Sequence, residues 1–148
     1  MMQNQAGFPM DEDLAPIEAA HRGTLAELLG VRFIEASKAR VVIELEMRPL
    51  LSTFGGGVHG GVLMAFADIA GALGAFLNLP AGHRTSTMES KQNFVGSIRD
   101  GCMRAIAEPL HLGARTMVWQ TKVTEVETGR LLANVVQTQM TLPMDPPV

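Results

Sequence analysis

The sequence predicts an α+β domain in which an antiparallel sheet of five to six strands wraps one long central helix, with an additional N-terminal helix. Three observations carry that expectation. Residues 57–78 open with a glycine-rich turn around His59 and continue as an apolar segment long enough for about four to five helical turns. Residues 39–47 alternate, with Val41, Ile43, Leu45 and Met47 on one face and Arg40, Val42, Glu44 and Glu46 on the other, the pattern of a half-buried strand. After residue 99, strand-like segments are separated by the short turns Asp100-Gly101, Leu112-Gly113-Ala114 and Glu127-Thr128-Gly129, which join antiparallel neighbours into a meander. A sheet with one apolar helix needs a single helical layer, so it curls around that helix.

The elements follow in order. Residues 1–13 are polar or weakly apolar and carry Gly7 and Pro9; they are expected to be a disordered N-terminal segment. Pro16 opens a helical pattern in which Ile17, Ala20, Thr24, Leu25, Leu28 and Leu29 share a face, with Gly30 as its cap. Residues 31–36 read as a strand, Ser37-Lys38 as a turn, and Pro49 ends the alternating strand. Residues 50–60 form a loop whose Gly55, Gly56 and Gly57 permit positive φ or close backbone approach.

In the central helix, Val62, Phe66, Ile69, Leu73 and Phe76 make one apolar stripe, and Gly61, Ala65, Asp68, Ala72 and Ala75 make a second, small one. Ala67, Ala70, Gly71 and Gly74 fill the remaining sides, so the helix is apolar all round and expected to be buried all round. Leu79-Pro80-Ala81-Gly82 stops it. Strands are expected at 85–95, which is unusually polar, and at 102–111, 115–126 and 130–142. Pro143, Pro146 and Pro147 end the sheet, leaving a domain of residues 14–142 and a tail of 143–148.

Composition narrows the class. With 148 residues, 47% of them hydrophobic, the chain is one globular domain. A net charge of −3 offers no global field for nucleic acid. The run 62–77, broken by Asp68 and two glycines, is too interrupted for a membrane span, and the N-terminus lacks the basic and apolar regions of a signal peptide. The single Cys102 forms no internal disulfide, which fits a reducing cytoplasm. His21, His59, His83 and His111 are scattered without metal-ligand spacing, and neither a nucleophile elbow nor a P-loop occurs, so no metal or cofactor is expected.

Two positions stand out chemically. Asp68 is the one ionisable residue between Gly60 and Gly82, and an unpaired buried charge is expensive. It is either a carboxylate held by structural hydrogen bonds or a general base or nucleophile tuned by its surroundings. His59 sits in a glycine turn at a helix N-terminus, where free N–H groups and the positive dipole end accumulate. With Gly60 and Gly61 leaving those N–H groups uncovered, the turn can polarise a carbonyl oxygen, although phosphate-binding turns look similar.

His59-Gly60-Gly61, followed by an apolar helix with Asp68 nine residues after the histidine, resembles the hotdog-fold acyl-CoA thioesterases, above all the phenylacetate-pathway and 4-hydroxybenzoyl-CoA type. The resemblance covers roughly residues 14–142 and includes Gly113 through Trp119 and the Glu127-Thr128-Gly129-Arg130-Leu131 turn. It implies acyl-CoA hydrolysis, with Asp68 as the catalytic carboxylate, the Gly60 N–H of a partner subunit polarising the thioester carbonyl, His59 supporting the turn and Thr87 orienting water. It further implies substrate contacts from Gly61, from Thr53, which stands where many relatives carry asparagine or glutamine, and from Arg115, which falls where relatives meet the CoA phosphates. Some relatives carry a threonine at the position of Ala72. Coenzyme A enters as part of the substrate, and the family's sites lie at the interface of a homodimer, often within a homotetramer. The helical rise of about 12 Å between Gly60 and Asp68 fits a site shared by two chains.

Two other readings stay open: a hotdog acyl-thioester dehydratase or hydratase, whose usual histidine motifs are missing here, and a non-catalytic acyl-CoA-binding protein. For the acyl group, Val62, Phe66, Met88 and Phe94 are candidate pocket residues.

Overall fold

A computed structural model describes residues 13–144, and the expected disordered segment 1–13 lies outside them except for Asp13. Helices α1 (Ala15–Ala20) and α2 (Leu25–Leu29) precede strands β1 (Arg32–Ala36) and β2 (Val41–Glu46). A 3-10 turn at Pro49–Leu51 leads to the long helix α3 (Gly60–Leu77), and β3 (His83–Phe94), β4 (Cys102–Leu112), β5 (Thr116–Glu125) and β6 (Leu131–Pro143) complete the chain. All strand pairs are antiparallel, in the order β1-β2-β4-β5-β6-β3. The meander β4-β5-β6 is the one the short turns require, and α3 packs against β2 through β6. This is the expected α+β wrap of one sheet around one helix.

The N-terminal segment departs from expectation. It forms two short helices instead of one, because Gly23 adopts φ 73° and turns the chain between them. Gly30 caps the second in the left-handed region, with its N–H bonded to Ala26 and Glu27 carbonyls. The break also changes the buried face: Ile17, Ala26 and Leu29 are inside, while Leu25 and Leu28 stand exposed. Strand β2 is buried on both faces and not half-buried as its alternation suggests. Its outer Glu44 is nearly dry and takes Arg32 at 3.0 Å and Arg104 at 2.6 Å, the pairing that a buried carboxylate needs.

Helix α3 is not buried all round as its composition suggests: Gly61 and Met64 are exposed. Leu63, Phe66, Ala67, Ala70, Gly71 and Gly74 are buried, whereas Val62, Asp68, Ile69, Ala72 and Phe76 are only partly covered. The small residues face inward because the sheet brings bulk to meet them. A Cβ built on Gly74 would lie 2.5 Å from the ring of Trp119, and one on Gly71 would lie 2.6 Å from the side-chain amide of Gln137. By length and composition α3 would pass for a membrane-crossing helix, contrary to the sequence expectation. The curled sheet accounts for its apolar character instead: half of its residues are buried against the strands.

The remaining boundaries move little. Among Gly55, Gly56 and Gly57, Gly56 alone has positive φ, at 83°. Strand β6 runs on to Pro143, paired with His83, so that the sheet includes the first tail proline. Pro109 is accommodated in β4 at a register shift opposite Trp119.

Gly74→Ala tests the close approach. Alanine is the better helix former by about 1 kcal/mol, but its methyl group meets the fully buried indole of Trp119. The expected net result is a destabilisation of about 1–3 kcal/mol, read as a lower urea midpoint at unchanged slope.

Candidate active site

Asp68 lies in the middle of α3, on its partly covered side, facing the polar end of the sheet. Its Oδ1 accepts two hydrogen bonds, from Thr87 Oγ1 of β3 at 2.8 Å and from Gln137 Nε2 of β6 at 3.1 Å. The chain of donors continues outward: Gln139 Nε2 donates to Thr87 Oγ1 at 2.8 Å, and Thr85 Oγ1 donates to Gln139 Oε1 at 3.0 Å. Gln137 and Gln139 occupy inward positions of β6, where alternation alone would place apolar side chains, and both are buried. The orientation of Gln137 follows from charge, because turning the amide would set its carbonyl against a carboxylate. That orientation leaves Gln137 Oε1 buried without a partner among the described residues. A dry acceptor costs about 1–3 kcal/mol, so gripping Asp68 is favoured over local satisfaction. Asp68 Oδ2 receives no hydrogen bond among the described residues.

Beside Asp68 opens a cavity of about 480 Å³ between α3 and the two N-terminal helices. Its walls are mostly apolar: Ile17, Ala20 and Leu25 on one side, Ile69, Ala72 and Phe76 on the other. Thr85 and Asp68 are polar groups on its wall. Apolar chambers of this size with few convergent polar groups suit small-molecule ligands.

The glycine turn stands at the start of the same helix. His59 is the N-cap, and its Nδ1 accepts the Gly61 N–H at 2.9 Å. This corrects the expectation that both glycine N–H groups are uncovered. Gly61 is spent on the cap, and the Gly60 N–H, at the first helical position, has no acceptor among the described residues. The histidine therefore holds the turn through its ring nitrogen. Phe94, at the end of β3, packs its ring 3.5 Å from where a Gly60 Cβ would sit.

The other predicted residues are dispersed. Thr53 spends its hydroxyl on the Gly55 N–H at 3.1 Å inside its own loop, and no hydrogen bond links it to Asp68. Arg115 is exposed after the β4–β5 turn, and its side chain has no partner among the described residues. The candidate pocket residues lie away from this cavity. Val62, Phe66, Met88 and Phe94 do not line the cavity. Phe66 is fully buried in the core, while Met88 and Phe94 stand exposed on the edge strand. The wall contributed by α1 and α2, and the glutamines of β6, were not foreseen. The one signal for the glutamines was a pair of amides in the inward register of an otherwise alternating strand.

Among the described residues, no three His, Cys, Asp or Glu side chains cluster as metal ligands would. Cys102 lies outside the site at the start of β4, its thiol pushed up by burial and by the Glu44 carboxylate.

Comparison with known proteins adds independent observations. The sequence pattern of the thioesterase superfamily matches residues 55–132. The chain is 32% identical over 108 residues to a 1,4-dihydroxy-2-naphthoyl-CoA hydrolase of Listeria monocytogenes, covering 73% of this chain and 87% of the relative. It is 28% identical over 118 residues to the Escherichia coli protein of the same name, covering 80% and 86%. Among solved structures, a thioesterase from Pseudomonas aeruginosa superposes with a TM-score of 0.85 at 22% identity, covering 91% of this chain and 97% of that one. A Haemophilus influenzae thioesterase gives 0.85 at 21% identity, covering 91% and 94%. At those identities the structures establish the shared fold.

The donor chain onto Asp68 has a measurable consequence. Thr87→Val removes one bond to the carboxylate and leaves the buried Gln139 amide without its acceptor. It should cost about 1–3 kcal/mol of stability in urea unfolding, and Thr87→Ser should restore most of that loss.

Proposed function

The chain belongs to the thioesterase superfamily and is a thioester hydrolase of the hotdog fold, and from that premise we propose that it cleaves an aryl- or medium-chain acyl-CoA to the free acid and CoA with Asp68 as its catalytic carboxylate. The observation that carries this reading is a carboxylate gripped at one oxygen by Thr87 and Gln137, with its other oxygen free, on the wall of an apolar cavity. Relatives named for a naphthoyl-CoA substrate weight the range toward aryl groups.

In this mechanism the acyl group occupies the cavity and the thioester carbon lies near Asp68 Oδ2. Asp68 either draws a proton from water, whose oxygen adds to the carbonyl carbon, or adds to that carbon itself before water releases the acid. Thr87 fixes the carboxylate and orients the water. The carbonyl oxygen gains negative charge in the transition state and is met by the Gly60 N–H, reinforced by the helix N-terminus. Collapse breaks the carbon–sulfur bond, and the thiolate leaves to become the CoA thiol. Gly61 serves by donating its N–H to the His59 cap, Thr53 shapes the adjoining loop, and exposed Arg115 is free to meet a CoA phosphate. The reaction needs no cofactor beyond the CoA that arrives with the substrate, and it suits a cytoplasmic enzyme.

The Gly60 group is assigned to a second subunit. Gly60 and Asp68 are eight positions apart on one helix, about 12 Å of rise, too far to act on one thioester from the same chain. Strand β3 offers the means of association. It is a 12-residue strand at the end of the sheet, paired on one side with β6, and it exposes Met88 and Phe94. A long edge of this kind is a template for pairing with another copy. We therefore assign a homodimer with two shared sites, which can pair further into a tetramer.

Two substitutions and their mixture test the mechanism. Asp68→Asn should lower kcat about 10²–10⁴-fold with the fold intact by circular dichroism, and unchanged turnover would remove Asp68 from the chemistry. Gly60→Pro deletes the N–H at a helical position where proline is well tolerated, after an extended His59 at ψ 135° that suits a residue preceding proline. It should cost about 10²–10³-fold in kcat, with Gly60→Ala near wild type. Refolding the two inactive variants together should restore up to about a quarter of wild-type activity, because half of the dimers are hybrids with one intact site. Lack of restoration would place both groups in one chain.

A further inference from the structure

We infer that Phe76 sets the limit on acyl length, as a removable partition between the cavity beside Asp68 and a second cavity farther along α3. This rests on the acyl-CoA reading and deepens it. The first cavity, about 480 Å³, includes Asp68 on its wall. The second, about 400 Å³, lies beyond it between the end of α3, the 79–82 turn, the start of β3 and Met144. Phe76 and Thr85 line both. Thr85 is a small side chain fixed by its hydrogen bond to Gln139 and cannot be cleared by rotation without breaking the relay to Asp68. The aromatic ring of Phe76 supplies the bulk that divides the two spaces.

The geometry also gives the length at which the partition is felt. Phe76 is eight residues after Asp68 on the same helix, about 12 Å of rise. An extended chain advances about 1.2 Å per bond, so roughly ten bonds reach from the carboxylate to the ring. A single- or double-ring aryl group, or a saturated acyl chain up to about decanoyl, ends before Phe76. A longer chain must displace the ring to enter the second cavity. The walls of that cavity include Leu79, Pro80 and Met144, so apolar surface awaits the chain once the ring is gone.

A series at one position tests this. Wild-type protein and the variants Phe76→Ala, Phe76→Leu and Phe76→Trp are assayed by free-thiol release on benzoyl-CoA and on straight-chain acyl-CoAs from butanoyl to hexadecanoyl. Wild-type kcat/KM should fall beyond about decanoyl. Phe76→Ala should raise kcat/KM for hexadecanoyl-CoA about 10-fold or more, Phe76→Leu should give a smaller extension, and Phe76→Trp should shorten the limit. Benzoyl-CoA, which ends before the ring, should gain nothing in kcat/KM from the Ala and Leu substitutions, so that the ratio of hexadecanoyl- to benzoyl-CoA turnover rises. A chain-length profile that stays fixed in folded variants overturns the inference, as does a uniform loss that includes benzoyl-CoA. Thermal stabilisation by the free straight-chain acids is measured in parallel. If wild type cleaves no thioester, the hydrolase mechanism falls, and the acids still decide this point. A stabilisation limit that moves with residue 76 supports the partition, and one that does not move refutes it.

Discussion

The structure depends on the need to place one carboxylate inside an apolar helix. Asp68 sits among alanines and glycines, where no neighbour on its own helix can satisfy it, and ionised carboxylates are not tolerated unpaired in such surroundings. Its partners must come from the sheet. Two strands distant in sequence and adjacent in space, β3 and β6, provide them: Thr87 from one and Gln137 from the other. The polarity of β3 and the inward glutamines of β6 serve the same end. Gln139 fixes Thr87, and Thr85 fixes Gln139, so the hydroxyl facing Asp68 directs its proton at the carboxylate and keeps one acceptor lone pair open.

The glycines of α3 make that arrangement reachable. Gly71 is three residues after Asp68 and therefore next to it on the helix surface. Without a side chain it leaves the space that the Gln137 amide fills, since a Cβ would fall 2.6 Å from that group. Gly74, one turn on, admits the indole of Trp119 from the neighbouring strand. The helix gives up about 1 kcal/mol of propensity at each position. In exchange the sheet approaches closely enough for a β6 side chain to hold a residue at mid-helix, which makes the packing of the core and the orientation of the candidate catalytic group a single feature.

The sequence revealed the parts of this design that leave periodic traces. The alternation of β2, the turn residues after position 99 and the unbroken apolar character of α3 led to the right class and to the β4-β5-β6 meander, and the isolation of Asp68 marked the candidate site. The lost parts depend on approach in three dimensions. An all-apolar helix does not say which side meets the sheet: of the stripe Val62, Phe66, Ile69, Leu73 and Phe76, Phe66 and Leu73 are buried with the small residues, while Val62, Ile69 and Phe76 are only partly covered. Ile17 and Leu25 share a helical pattern, yet one glycine at φ 73° splits that helix and sends one inward and the other out. The cavity wall made by these helices could not be read, because it exists only once they fold back over α3.

The open edge and the open cavity are two consequences of one topology. The sheet order ends at β3, the strand that carries Thr87, so the group beside Asp68 lies on the boundary of the molecule. The exposed Met88 follows Thr87 directly, at the register shift where β3 departs from regular pairing with β6. Such irregularities re-aim side chains next to functional sites; here the shift sets a polar residue on the carboxylate and an apolar one into the open. A carboxylate at a boundary can be held from one side by its own sheet and still be approached from the other by a helix N-terminus of a second copy. The same helix cannot do both, because its N–H groups and Asp68 are separated along one axis. In the proposed mechanism, an acid at mid-helix and a carbonyl-polarising turn at the helix start call for two chains running past each other, and the unpaired length of β3 is the surface along which they would meet.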